Sequence, residues 1–188
     1  MSPGSLRRRL AVAALVAFAL ALGFAALALE RTFARHVERR AVAELGTHLA
    51  QLAAALEATA EGQPVLRREP SDPRFQRPLS GLYWQVDGGA DPPLLRSRSL
   101  WDEVLDVPRD LPADGDLHRH EVVGPQGQRL LVVERSLTLT GGSGEPTVRV
   151  AVALDRGEIT AAARAFRRDL APYLLALAGL LLAATVAA

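Results

Sequence analysis

The residues that could bind or transform something gather between positions 102 and 120 of this 188-residue chain. Within residues 102–116, Asp102, Glu103, Asp106, Asp110, Asp114 and Asp116 stand against a single cation, Arg109. Closely spaced carboxylates attract hard divalent ions, so this run could collect such cations or face anionic lipid through them. It lacks the alternating oxygen ligands and terminal glutamate of a calcium loop, which leaves a solvated acidic loop as the simpler alternative. His118 and His120 follow at strand spacing, sharing one face, and could enter zinc coordination, although spacing identifies no third ligand. Asp102, Asp106, Asp110, Asp114, Asp116, His118 and His120 are therefore the metal candidates, with the ion unknown. His48 is a lone histidine in a helical pattern and reads as a solvated or interfacial side chain. For catalysis there is little material. The sequence offers no nucleophile–base pair and no cysteine. The glycine-rich run at 141–144 lacks the Lys-Ser/Thr and helix of a phosphate loop. No catalytic or cofactor-binding residue is assigned.

The elements that must position these residues start in the membrane. Residues 10–29 are twenty positions without a charge, and 170–188 are nineteen more. A spanning helix needs about 20 apolar residues, so both stretches are expected to cross a bilayer. Arg7, Arg8 and Arg9 precede the first stretch without an acid beside them, which favours a cytoplasmic N-terminus. The expected layout is a cytoplasmic segment 1–9, a transmembrane helix 10–29, an extracytoplasmic domain 30–169 and a second transmembrane helix 170–188. A chain rarely stops in hydrocarbon, so further sequence is expected after Ala188. The triplet Ala26-Leu27-Ala28 would suit signal-peptide cleavage, but the apolar run is long for one and helical pattern continues past Glu30.

Composition constrains the middle domain. Without cysteine it must fold without disulfides. Residues 30–169 carry 19 arginines and 21 acids, a formal charge of −2, which does not suit a nucleic-acid partner. Phe33, Val37, Ala41, Leu45, Leu49, Leu52, Leu56 and Thr59 recur at spacings of four and three, predicting a helix over 31–61 that ends at Gly62 and Pro64. Its stripe could pack on its own domain, meet a twin across a dimer axis, or both. Residues 67–78 read as irregular, basic, proline-bearing chain. Strands are expected at 82–86, 94–100, 119–123, 129–136 and 147–154, with a helical turn at 100–105. Short connections favour antiparallel neighbours. A closing helix starts near Asp155 or Arg156 and runs into the second apolar stretch. The fold class is α+β: about five mostly antiparallel strands, a long N-terminal helix and a C-terminal helix.

Several motifs then resemble one family. Asp72-Pro73-Arg74-Phe75, Ser80-Gly81-Leu82-Tyr83-Trp84-Gln85-Val86, Arg96-Ser97-Arg98-Ser99-Leu100-Trp101-Asp102 and Val150-Ala151-Val152-Ala153-Leu154-Asp155-Arg156 are similar to the input region of proteobacterial two-component sensor histidine kinases. The likeness is to the magnesium- and antimicrobial-peptide-responsive group. It implies an inner-membrane homodimer with a periplasmic mixed helix–sheet sensor domain. It also implies a cytoplasmic autokinase using ATP and Mg²⁺, a cognate response regulator, and a periplasmic signal that could be a divalent cation. Tyr83, Trp84 and Trp101 would be core anchors, and Arg96 and Arg98 would pair internally with acids. The kinase chemistry would lie outside these residues. His36, His48, His118 and His120 all precede the second apolar stretch, and none sits in a phosphoacceptor context. Chemoreceptors and cyclic-dinucleotide enzymes share this input layout. A non-enzymatic periplasmic assembly protein is a further alternative.

Overall fold

The computed structural model describes residues 3–88, 95–108, 115–140 and 145–187. They form two units: residues 39–159, and residues 1–38 together with 160–188.

In the first of these units, period-two alternation of large apolar residues builds the sheet. β1 (Leu56–Ala58) and β2 (Pro64–Leu66) make a small antiparallel hairpin. β3 (Leu82–Asp87), β4 (Leu95–Arg96), β5 (His118–Val123), β6 (Arg129–Thr138) and β7 (Thr147–Asp155) make an antiparallel sheet of order β4-β3-β7-β6-β5. The central strands β3, β7 and β6 are buried on both faces, so both faces need a cover. Register places Tyr83 beside Ala153 and Val132, and Gln85 beside Ala151 and Glu134. That face is covered by the segment after Leu100. Leu100, Leu105 and Val107 join Tyr83, Val122, Leu130, Val132, Ala151 and Ala153 in one buried cluster. The Gln85 amide holds the strap across the sheet: Leu105 N–H donates to Oε1 at 2.8 Å, and Nε2 donates to the Leu105 carbonyl at 3.2 Å. The opposite face presents Trp84, Val86, Val150 and Val152, all buried. The stripe available to cover it belongs to α1 (Pro3–Ala55), where Leu45, Leu49 and Leu52 are at most 1 % exposed. Within this unit the stripe is thus used by its own domain.

Three expectations change. The helix expected to reach 61 stops at Ala55, because Leu56–Ala58 pairs with Pro64–Leu66 and Arg67 N–H donates to the Ala55 carbonyl at 2.9 Å. The strand expected over 94–100 shrinks to β4. Beyond it, Ser97 and Ser99 turn inward: Trp84 N–H donates to Ser97 Oγ at 3.1 Å, and Ser99 Oγ donates to the Leu82 carbonyl at 2.7 Å. These bonds favour a 3₁₀ turn at Arg98–Leu100 over a ladder. Trp101 is not a core anchor. Leu100 fills the buried position, and Trp101 at φ 57° is 56 % exposed. Tyr83 and Trp84 are buried as expected.

In the other unit, the N-terminal part of α1 and α2 (Arg156–Ala187) lie antiparallel. Phe33 stacks on Phe166 with ring centroids 4.1 Å apart, and Arg167 Nη1 meets Glu30 Oε1 at 3.2 Å. Further along, Leu15, Phe18 and Leu22 face Ala178, Leu181 and Leu182 across a shallow apolar groove. Among the described residues one helix, Val12–Ala55, is long and apolar enough to cross a membrane; its best window has a mean hydropathy of 2.6 and no burial. That helix indicates membrane association.

Candidate functional site

The sequence of the 72–81 segment builds the site. Asp72 Oδ1 accepts from Arg74 N–H at 2.9 Å, capping the 3₁₀ turn Pro73–Gln76. Pro73 suits its position because a first-turn N–H has no intrahelical acceptor, so its absence costs nothing. The turn drives Phe75 into the core at 0 % exposure and returns the Arg74 side chain onto its own cap. Arg74 Nε lies 3.1–3.2 Å from both Asp72 oxygens, and Nη2 lies 2.8 Å from Oδ2. The same Nη2 reaches Glu44 Oε1 on α1 at 2.7 Å, while Nη1 lies 3.5 Å from Glu158 Oε2 in the first turn of α2. Ser80 Oγ donates to the Arg74 carbonyl at 2.7 Å. Gly81, at φ +90°, lets the chain pass Asp155 and Glu158 where a Cβ would stand 3.3 Å from Asp155 Cβ. Asp155 N–H donates to the Gly81 carbonyl at 2.8 Å. One guanidinium therefore ties the long helix, the capped turn and the start of the last helix.

His48 completes the cluster. It lies one helical turn after Glu44, so both side chains share a face. Its ring meets Phe75 edge-on at 5.2 Å. Nε2 lies 3.8 Å from Asp72 Oδ2 and 4.0 Å from Glu44 Oε1, too far for hydrogen bonds. The side chain is only 12 % exposed, and both ring nitrogens are buried without a hydrogen-bond partner. This corrects the solvated or interfacial reading of His48. The Arg74 guanidinium holds the Asp72 carboxyl below the usual carboxylate range, chiefly by hydrogen bonding, so Asp72 is an anion near neutral pH.

A second polar network runs through the sheet. Glu134, 1 % exposed, meets His120 Nε2 at 3.0 Å through Oε1 and Arg149 Nε at 3.5 Å through Oε2. Arg149 continues to Asp87 Oδ2 at 3.2 Å and donates to the Pro108 carbonyl at 2.6 Å. This network fixes the strap on the Ala151–Ala153 face. Tyr83 Oη accepts from Gly81 N–H at 3.2 Å and from Gln128 Nε2 at 3.0 Å; burial pushes its phenol upward.

Among the described residues, the metal candidates read from sequence do not form a group with metal-ligand spacing. Asp102 and Asp106 are exposed on the strap, and Asp116 is exposed before β5. Asp110 and Asp114 lie outside the described residues. His118 is half-buried on β5, and His120 is engaged by Glu134. Among the described residues, the group with metal-ligand spacing is Glu44, His48 and Asp72, whose ligand atoms lie within 4.8 Å of one another. It contains none of the seven candidates. Its sequence signal was the four-residue spacing of Glu44 and His48; Asp72 is brought in only by tertiary structure. Arg96 Nη1 donates to the Glu103 carbonyl at 3.2 Å, and Arg98 is exposed.

Comparisons add a local relationship. No protein-family model and no solved structure matches the chain. The sensor protein kinase CarS of Pseudomonas aeruginosa is 46 % identical over 61 residues, which is 32 % of this chain and 12 % of that protein. The chain thus has local homology to a bacterial sensor kinase, over a small part of that protein's length.

Proposed function

We propose that this chain is the signal-sensing and membrane-relay portion of a bacterial two-component sensor histidine kinase. The observation that carries the reading is the 46 % identity to a sensor protein kinase. A membrane-length apolar helix joined to an α+β domain supports it. In this reading residues 1–9 are cytoplasmic, 10–29 and 170–188 span the inner membrane, and 30–169 face the periplasm. Two copies form a homodimer. A signal changes how the domain holds its two emerging helices, and their displacement reaches a cytoplasmic autokinase. ATP, Mg²⁺ and the response regulator are partners of that output part, not of residues in this chain. β7 passes into α2 without a linker, with Asp155 ending one and Arg156 starting the other, which suits a mechanical relay.

The test is a chimera in which residues 1–188 replace the membrane-bound input portion of a P. aeruginosa sensor kinase. Phosphohistidine formation from ATP is measured in membrane vesicles, with one- and two-alanine insertions after Leu170. Each added residue rotates the following helix by about 100°, so output is expected to change with insertion phase. Output indifferent both to the insertions and to deletion of residues 39–159 refutes the relay.

A further inference from the structure

We propose that Glu44, His48 and Asp72 form a binding site for a divalent cation of the zinc class, which Arg74 closes when the ion is absent. The site belongs to the chain itself and stands whatever output the chain drives. Two independent observations meet there. The first is the ligand set: one imidazole and two carboxylates whose ligand atoms lie within 4.8 Å of one another. The second is His48 itself, 12 % exposed, with both ring nitrogens buried and unpartnered and Nε2 facing the two carboxylates. A buried imidazole without a partner is costly, and a metal bond at Nε2 would relieve that cost.

The geometry needs only a small contraction. Bonds of 2.0–2.1 Å in a tetrahedral site place ligand atoms roughly 3.3 Å apart. Nε2 is now 3.8 Å from Asp72 Oδ2 and 4.0 Å from Glu44 Oε1. Glu44 is 44 % exposed and can swing once Arg74 is displaced from it, whereas Asp72 is held by its cap. Three protein ligands leave a fourth position for water. Imidazole beside carboxylates selects zinc-like ions over calcium and magnesium, which prefer all-oxygen shells.

Arg74 supplies the exchange. Its Nη2 sits 2.7 Å from Glu44 Oε1 and 2.8 Å from Asp72 Oδ2, the two oxygens the ion would take. It is a tethered cation in the ion's place. An entering ion displaces it, and Arg74 keeps a second anchor in Glu158, which Nη1 approaches at 3.5 Å. Binding would therefore rearrange the contact between the capped turn and the first turn of α2.

The experiment titrates the full chain in detergent micelles with Zn²⁺, and with Co²⁺ as an optical probe, followed by calorimetry and the cobalt d–d bands. Wild type is expected to take one equivalent. Glu44→Gln and His48→Asn are expected to weaken binding at least about tenfold. Arg74→Gln removes the competing cation and is expected to tighten it, an effect that a purely structural role for Arg74 does not produce. Circular dichroism melts verify that each variant folds; the half-exposed Glu44→Gln decides if His48→Asn does not. Absence of binding up to about 1 mM, binding undiminished in Glu44→Gln, or displacement of zinc by millimolar Ca²⁺ or Mg²⁺ overturns the proposal.

Discussion

Replacing Arg149 by methionine tests whether the charge network inside the sheet is as buried as its geometry indicates. Arg149 is 17 % exposed and faces Glu134 at 2 % and Asp87 at 10 %. The methionine keeps much of the volume but leaves Glu134 with His120 alone on its side of the network. It also strips the Pro108 carbonyl of a 2.6 Å donor and the Val107 carbonyl of a longer one at 3.4 Å. Removing one member of a buried ion pair costs about 3–5 kcal/mol, because the charge left behind loses a cation without regaining water. For a unit of this size each kcal/mol moves the melting temperature by roughly 3–5 °C, so a fall of about 10–20 °C is expected. The assay is a thermal melt of the full chain in detergent, read by tryptophan fluorescence, to which the buried Trp84 contributes. A second variant separates charge burial from lost packing: Glu134→Leu combined with Arg149→Met removes the buried carboxylate that lost its arginine and is expected to recover at least half the loss. A shift under about 3 °C for the single variant, or additive losses in the double, refutes the argument.

Asp72 has a folded-state pKa below its ordinary value near 3.8, so its contribution to stability is present above that pH and fades as pH falls through the lower folded value. Asp72→Asn is therefore expected to lower the melting temperature near neutrality by the equivalent of about 1 kcal/mol and to flatten the acid limb of the stability curve below pH 3.8, as measured by melts across that limb. An unchanged acid limb counts against the Asp72–Arg74 pairing. Phe33→Cys with Phe166→Cys is expected to be joined within one chain by a short bis-maleimide crosslinker, since the native rings stack at 4.1 Å and the chain has no other cysteine. Mass spectrometry reads this as loss of two thiols at the mass of a monomer plus a single linker; free thiols, or crosslinked dimers alone, refute the intrachain stacking.

The sequence by itself determined the α+β class, the strands at β3, β5, β6 and β7, and the apolar stretch that makes α1 membrane-length. These are local properties: period-two alternation, period-3.6 stripes and runs of uncharged residues are properties of neighbouring positions in the chain. It also placed Tyr83 and Trp84 in the core. Tertiary structure decided what depends on residues far apart. Leu45, Leu49 and Leu52 suited their own domain, a dimer seam or both, and burial within a single chain assigns these three to their own domain. Trp101 looked like a core anchor until Leu100 took the inner position. The candidate site was the least legible feature. Acid density drew attention to residues 102–116, yet among the described residues the group that converges joins Glu44 and His48 to Asp72, 24 positions beyond the histidine. Density along a sequence measures only local charge, whereas ligation needs a few atoms aimed at one point. That aim came from an aspartate cap that turns Arg74 and Phe75 back toward the helix.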